Sequence, residues 1–199
     1  GSPGAVTLDA DILAGWGAGR LLVGGVRRTA EDGSTVVDVR TPSVTLDNPG
    51  GTLAGADVAL VSREKVELTA GSALAAQGDG GGGAYQVAGD GAALRASSGN
   101  GAAVVRQGAG ASVAPLLSLG AGSSVSGDEV VLDSTYGMQV DDSVGLTADR
   151  LSMAAGQVSL VLSPQGALAG SVVDPHLVLE GGLLARVQQA DLLSLASYR

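Results

Sequence analysis

Few residues of this chain have the types and spacing that catalysis requires. The single histidine is His176, in the run Asp174-Pro175-His176, and there is no cysteine. A Ser-His-Asp site would need this histidine, but no G-x-S-x-G elbow occurs, and a lone histidine beside a proline is typical of a turn. One histidine without cysteine also argues against a zinc or iron site. We therefore expect no catalytic residue, no metal ligand and no cofactor.

Paired carboxylates are the next candidates for chemistry, and Asp141-Asp142 is the obvious pair, with Asp133 and Asp128-Glu129 nearby. Polysaccharide hydrolases place two carboxylates across the bond that they cleave. Adjacent residues of a strand point to opposite faces, so this pair converges only in a turn. Solvated corners are the favoured interpretation, and a carbohydrate-active β-helix enzyme is kept as an alternative.

Glycine-rich runs suggest two further kinds of site. The Gly-Asp-Gly repeats are similar to the calcium-binding nonapeptide, but 80–83 continues into Ala84-Tyr85 without the required Asp, and tandem copies are missing. A phosphate-binding loop needs G-K-[ST], whereas Lys65 follows Glu64. These runs therefore favour a flexible loop over a calcium or phosphate site.

Four residues are candidates for binding a partner. Trp16, between glycines, is an exposed aromatic that stacks on a sugar or else covers the open end of the structure; the covering role is favoured. Tyr85, Asp90 and Arg95 lie in the glycine-rich part of the chain and complete the set.

The composition describes the interior that must position these residues. Hydrophobic residues make up 45% of the 199 residues, but aromatics only 2%, with no Phe and with 33 Gly. Such small and β-branched side chains suit a narrow interior in which similar layers stack. The net charge of −9 repels nucleic acid, so we expect no nucleic-acid partner.

Short apolar strands recur along the chain, and helix signals are nearly absent. A small residue and Asp precede several of them, with the Asp at Asp11, Asp57, Asp128, Asp149 and Asp191. The gaps of 46, 71, 21 and 42 residues (57−11, 128−57, 149−128, 191−149) approximate multiples of 21–24, a solenoid period.

This period predicts one all-β domain over 1–199, a parallel β-helix of about nine coils that stack at ~4.8 Å. Alternation places Val58, Leu60, Val66 and Leu68 in its core. An antiparallel β-sandwich is the alternative, since Asp-Gly and Asn-Gly pairs favour hairpins. Asp128, Asp149 and Asp191 recur at coil spacing, which would suit a row of carboxylates, but their place before the strands favours turns.

Three segments depart from the regular pattern. Residues 76–110 are rich in glycine and predict a protruding loop or hairpin. Residues 181–199 are compatible with a short helix, although the Asp frame predicts a strand at the end. Residues 1–4 (GSPG) are interpreted as a tag remnant or a cut point, and the chain as a fragment of something longer.

Three stretches resemble a known family. Residues 20–27 (RLLVGGVR) look like the LLxGGxR segment of large filamentous haemagglutinin exoproteins. Residues 89–97 (GDGAALRAS) with 104–106 (VVR) are similar to a second recurring stretch. Residues 179–185 (LEGGLLA) with 193–198 (LSLASY) look like a third.

The resemblance implies a right-handed parallel β-helix shaft of a secreted virulence-associated adhesin on the bacterial cell surface. It implies two-partner secretion, in which an outer-membrane β-barrel transporter exports the parent protein. A host or bacterial receptor or glycan is the expected partner, and end-to-end self-association is a further expectation because excised coils expose strand edges. An architectural filament subunit without a ligand remains an alternative.

Overall fold

The protein is described by a computed structural model over residues 5–8, 19–110, 113–162 and 176–198. It is mostly β-strand, at 57%, with one short helix. The all-β prediction is therefore confirmed. Within the described ranges, no helix has the length and apolar character needed to cross a bilayer.

The strands are short and follow one another through tight turns. They are β1 (Ala5–Leu8), β2 (Arg20–Val23), β3 (Gly25–Thr29), β4 (Thr35–Val39), β5 (Ser43–Leu46), β6 (Thr52–Gly55), β7 (Asp57–Ser62), β8 (Lys65–Leu68), β9 (Ala73–Ala76), β10 (Tyr85–Ala88), β11 (Ala92–Ser97), β12 (Val104–Gln107), β13 (Leu116–Leu119), β14 (Ser124–Ser134), β15 (Gly137–Val140), β16 (Gly145–Ala155), β17 (Gln157–Leu160), β18 (His176–Leu179) and β19 (Leu192–Ser197). The helix α1 spans Gly181–Val187.

One sheet is parallel throughout, in the order β1-β5-β8-β13-β15. Ser43 lies opposite Lys65, a shift of 22 residues (65−43), and Leu116 lies opposite Gly137, a shift of 21 (137−116). Hydrophobic side chains at the second and fourth positions of these strands point inward, as period-two alternation requires.

A larger mixed sheet, here called the main sheet, follows the order β19-β16-β14-β11-β7-β2. Its ladders are parallel except around β11, which runs antiparallel to both β7 and β14. The strands β6 and β9 form a third parallel ladder that continues onto the first half of β14 and then onto β16. The chain therefore passes repeatedly through three ladders that surround one interior.

The interior is built from columns of apolar side chains in register. One column of the main sheet runs through Leu21, Val58, Ala96, Val130, Leu151 and Leu193, and the next through Val23, Leu60, Leu94, Leu132, Met153 and Leu195. The predicted core residues Val58, Leu60, Val66 and Leu68 are all fully buried, so that prediction is confirmed.

A four-stranded sheet, here called the cover sheet, packs on the outer face of the main sheet in the order β12-β10-β4-β3. It encloses a second apolar core, in which Val37 and Val87 from the cover sheet meet Ala59, Val61 and Ala93 from the main sheet. The outer face of β7 and β11 is therefore as dry as the interior, and every residue of both strands is buried.

The cover sheet is assembled from two insertions. The hairpin β3–β4 lies between β2 and β5, and β10 and β12 lie between β9 and β13. Residues 76–110, for which the sequence predicts a protruding loop or hairpin, therefore contain two cover strands and the buried strand β11. Glycine provides the sharp turns here, but the apolar alternation of the flanking strands leads them back onto the main sheet.

Gly24 explains one part of the LLxGGxR stretch. Its φ of 91° is in the left-handed region, and a Cβ there would collide with the Val61 carbonyl oxygen. The Gly24 carbonyl accepts hydrogen bonds from the backbone N–H groups of Arg40 and Thr41. The chain can therefore leave the main sheet and enter the cover sheet within one residue.

The end of the chain contains both elements that the sequence allows there, since α1 precedes the strand β19. The Asp frame is aligned in part. Gly127 lies opposite Ala148, so Asp128 and Asp149 follow paired positions, whereas Asp57 lies opposite Ser97, which lies opposite Glu129. Asp57 is thus one position out of frame, and it faces the cover sheet instead of a solvated turn.

Candidate functional site

The most densely bonded polar group in the described residues is a buried ion pair between the main sheet and the cover sheet. Arg95 on β11 donates from Nε to Asp57 Oδ1 and from Nη2 to Asp57 Oδ2, each at 2.9 Å. Both side chains are fully buried. The contact is bidentate, which is the strongest arrangement for an arginine and a carboxylate.

The remaining donors of Arg95 hold the glycine-rich loop. Nη1 donates to the carbonyl oxygens of Gly83 at 2.7 Å and Ala103 at 3.2 Å, and Nη2 also donates to that of Gly82 at 3.2 Å. A guanidinium has five N–H groups, and these contacts together use all five. Arg95 therefore fixes the path of a loop whose glycines have little conformational preference of their own.

Tyr85 completes this cluster from β10. Its ring stacks on the Arg95 guanidinium, 3.6 Å from the ring centroid, and its hydroxyl donates to Asp57 Oδ2 at 2.9 Å. The Arg27 guanidinium lies over the same ring at 5.1 Å. Burial raises the pKa of the Tyr85 phenol above its usual 10.0, with the charge of Arg95 opposing and that of Asp57 adding to the shift. Tyr85 therefore stays protonated and donates to the carboxylate.

A second cluster repeats the same three residue types further along the main sheet. Arg106 on β12 contacts Asp133 Oδ1 on β14 through Nε at 2.7 Å and Nη2 at 2.6 Å. The Tyr198 hydroxyl donates to Asp133 Oδ2 at 2.5 Å. Burial raises the pKa of the Asp133 carboxyl, while Arg106 and Tyr198 oppose that shift. This cluster joins the cover sheet, the main sheet and the residue that follows β19.

These two clusters are suited to fastening and not to reaction. A general base or nucleophile needs a free lone pair within reach of a substrate. The carboxylates of Asp57 and Asp133 are instead saturated by Arg and Tyr donors, and both are buried. What the geometry can do is hold layers of β-structure together in a dry environment, where removing one partner of an ion pair is costly.

The predicted binding residues have different positions. Tyr85 and Arg95 are brought together, but inside the protein, where no external partner reaches them. Asp90 is half-buried, and its Oδ1 accepts a hydrogen bond from the Gly110 N–H at 2.8 Å. Trp16 lies outside the described residues. His176 begins β18, and its side chain lies outside the described part of the chain.

Sequence reasoning missed the partners Asp57 and Asp133. Each is a lone acid in an apolar strand, and Arg95 and Arg106 lie in similar apolar strands. Charged residues at the outward positions of otherwise buried strands are seldom tolerated unless paired. That signal could have suggested two Arg–Asp pairs, although the sequence does not indicate which arginine meets which aspartate.

The adjacent acids Asp141 and Asp142 have separate structural roles. Asp141 Oδ1 accepts from the backbone N–H of Ser143 at 2.8 Å and from its hydroxyl at 2.5 Å, and these bonds lower the pKa of Asp141. Asp142 Oδ1 accepts from the Leu183 N–H at 2.8 Å, in the first turn of α1. The pair therefore does not form a two-carboxylate site. In the described part of the chain, no group of three or more His, Cys, Asp or Glu is placed to hold a metal ion.

Comparisons with protein-family models, curated proteins and solved structures found no match to this chain.

The Arg95–Asp57 pair predicts an asymmetric response to substitution. We expect Arg95→Met to lower the free energy of unfolding by about 3–5 kcal/mol, because it leaves a buried carboxylate unpaired. The double variant Arg95→Met, Asp57→Leu should recover most of that loss. Urea denaturation followed by circular dichroism measures both.

Arg28→Met is the matched control, since Arg28 pairs with Asp38 at the surface, where an ion pair contributes about 0–1 kcal/mol. An Arg95→Met loss no larger than that of Arg28→Met would contradict the fastening role.

The second cluster predicts a dependence on alkaline pH. Burial and the charge of Asp133 raise the pKa of the Tyr198 phenol above its usual 10.0. Its contribution to stability is therefore full below pH 10 and is lost as the pH rises through the raised value. At pH 8 we expect Tyr198→Phe to lose about 1–3 kcal/mol.

Above pH 10 the stability of the native chain should fall more steeply than that of the Phe variant, as measured by urea unfolding at each pH. Absorbance titration of the phenolate should also lose its highest-pH component in the variant. Parallel stability curves for the two proteins would contradict the assignment.

Proposed function

We propose that this chain is a rigid, right-handed parallel β-helix shaft segment of a secreted bacterial surface exoprotein of the filamentous haemagglutinin type. In this role it holds contact surfaces away from the cell and mediates attachment to a host or bacterial surface. The parent protein would reach the surface through an outer-membrane β-barrel transporter. The chain itself would carry out no catalysis.

One observation carries the proposal: ladders on different faces share the same register shift. Leu116 lies opposite Gly137 in the first sheet, and Ser124 lies opposite Gly145 in the main sheet, both shifts of 21 residues (137−116 and 145−124). The step before is also shared, since Lys65 pairs with Leu116 and Ala73 with Ser124, a shift of 51 in each ladder (116−65 and 124−73). A common shift on several faces is expected when each turn of a coil stacks on the one before.

The shared shifts also account for the mixed character of the sheets. A coil of about 21 residues with an insertion of about 30 would produce the 51-residue step. The step from β2 to β7 is 37 residues (57−20), which would contain one coil and the hairpin β3–β4. Insertions at two coils thus supply all the antiparallel pairing that the described residues contain.

Polar contacts between turns give the proposed coils lateral rigidity. The Asn48 amide donates to the Ala73 carbonyl at 3.0 Å and accepts from the Ala73 N–H at 3.2 Å. The Asn48 N–H donates to the Ser72 hydroxyl at 3.0 Å. Such bonds join turns about one period apart, so a rod held in this way needs no disulfide.

The alternatives have less support. A carbohydrate-active enzyme would need several carboxylates or arginines that converge on one outer face. Asp128, Asp149 and Asp191 come closest, because they stand at the same end of three neighbouring strands and are all exposed. Nothing around them distinguishes these side chains from solvated acids. A filament subunit without a ligand shares the scaffold and differs only in lacking an attachment role.

Duplication of one coil tests the architecture. A second copy of residues 116–136 inserted between Tyr136 and Gly137 should fold into an added coil, since every ladder at this point has a 21-residue shift. We expect cooperative unfolding with unchanged or greater stability, and a particle longer by ~4.8 Å in small-angle scattering. The control inserts the same residues in scrambled order, which should lower stability. Equal behaviour of the two insertions would refute the solenoid.

Surface exposure tests the biological part of the proposal. Antibodies raised against the folded chain should label intact cells of the source bacterium, and protease treatment of those cells should remove the signal. Deletion of the transporter gene should abolish surface labelling and leave an internal pool. Labelling that appears only after permeabilisation would rule out a surface role and leave the fold proposal untouched.

A further inference from the structure

An apolar groove of about 1000 Å³ lies beside the last strand of the first sheet. One side is β15 with the end of β13, and the other side is formed by β18, residues 161–162 and the start of α1. The neighbouring exposed side chain Leu162 is 77% accessible. The groove is separate from the two buried Arg–Asp–Tyr clusters.

The edge of β15 that faces the groove offers unpaired backbone groups. The N–H of Gly137 donates to the Pro115 carbonyl, and that of Asp141 to the Leu119 carbonyl, so alternate residues of this strand bond to the β13 side. In a parallel ladder the residues between them, Met138 and Val140, direct N–H and C=O to the opposite side. No described strand pairs with that side of β15.

The floor of the groove continues the apolar columns of the interior. Val44, Val66, Leu117 and Met138 form one column, and Leu46, Leu68, Leu119 and Val140 form the other. Leu177 and Leu183, both buried, continue the apolar surface beyond the groove. A further strand laid on β15 would therefore bury apolar side chains at its second and fourth positions.

The rim of the groove is acidic at one end. Asp141 and Asp142 directly follow β15, and Glu180 directly follows β18; all three are exposed. They lie at one end because Asp142 bonds to the Leu183 N–H in the first turn of α1. Arg186 is 3.8 Å from Asp142 and offsets part of this charge. The net negative rim favours basic residues on an incoming segment.

We propose that this groove binds an extended peptide that adds a strand to β15, parallel to it. The peptide carries apolar residues at its second and fourth positions and one or two basic residues immediately after them. Backbone hydrogen bonds to the sheet edge give affinity, and the two apolar contacts with the acidic rim give specificity. The proposal goes beyond the shaft function and does not rest on it, because it needs only the groove.

The test uses the whole chain and fluorescein-labelled peptides in an anisotropy titration. The probe is SVTLKK, which joins the sequence of β5 to two lysines. We expect saturable binding, weakened at least about tenfold when the lysines become glutamates in SVTLEE, because attraction becomes repulsion. SDTDKK, with aspartate at both apolar positions, should not bind.

Two N-methylated versions of SVTLKK test the backbone contacts without altering the protein. One is methylated at Val and Leu, and the other at Ser and Thr. Only the version whose methyl groups face β15 should lose binding, since alternate N–H groups of a strand point to opposite sides. Equal affinity of both versions and of the parent peptide would overturn strand addition.

Glu180→Gln tests the rim in the protein. Glu180 precedes α1 and makes no side-chain capping bond, so the substitution should leave the fold intact. We expect roughly two- to fivefold weaker binding of SVTLKK and no change for SVTLEE. Asp128→Asn, an exposed acid away from the groove, is the matched control and should bind as the native chain does.

Two results would overturn the proposal. One is the absence of saturable SVTLKK binding to a chain that is folded by circular dichroism. The other is a concentration-dependent dimer in light scattering that Glu180→Gln leaves unchanged and that excludes the peptide, since the occupant would then be a second copy. Coil duplication and surface labelling are unaffected by either result, so the shaft proposal is tested separately.

Discussion

The interior of this protein depends on stacking of like side chains in register. Each strand that borders it contributes a small or branched apolar residue to a column that the next strand continues, as Leu60, Leu94, Leu132 and Met153 do. A one-residue slip would turn a whole strand inside out. Register is therefore fixed by burial, which explains why a core almost without aromatics suffices. The narrow space between the ladders leaves no room for larger rings.

The second consequence concerns the outer face of the main sheet. Strands in a stack of this kind usually leave that face to water, but here the cover sheet buries β7 and β11 completely. Polar residues that would otherwise be solvated must then find partners within the protein. Arg95 with Asp57, and Arg106 with Asp133, meet this requirement, and Tyr85 and Tyr198 fill the remaining acceptor positions.

The sequence predicts the inward alternation well and the outer layer poorly. Val58, Leu60, Val66 and Leu68 are buried as expected, because alternation is a local property that each strand displays by itself. The strand β11 could not be found in the same way. Its residues alternate little, since both of its faces are buried, and the flanking glycines resemble those of a loop. The antiparallel entry of β11 between β7 and β14 is a tertiary arrangement with no local signal.

The same limit applies to the candidate residues. Tyr85 and Arg95 stand out in the sequence because their segment is rich in glycine, and the structure assigns them to a buried ion-pair cluster. Arg95, Arg106, Gly24 and Tyr198 all lie within the three stretches that resemble filamentous haemagglutinins. In this chain each of them has a physical role, since Gly24 allows a sharp exit from the main sheet and the other three fasten layers together. Recurring residues of these stretches therefore need not mark a binding surface. Contact with a partner has to come from groups that the fold leaves unsatisfied, and the open edge of β15 with its acidic rim is such a group.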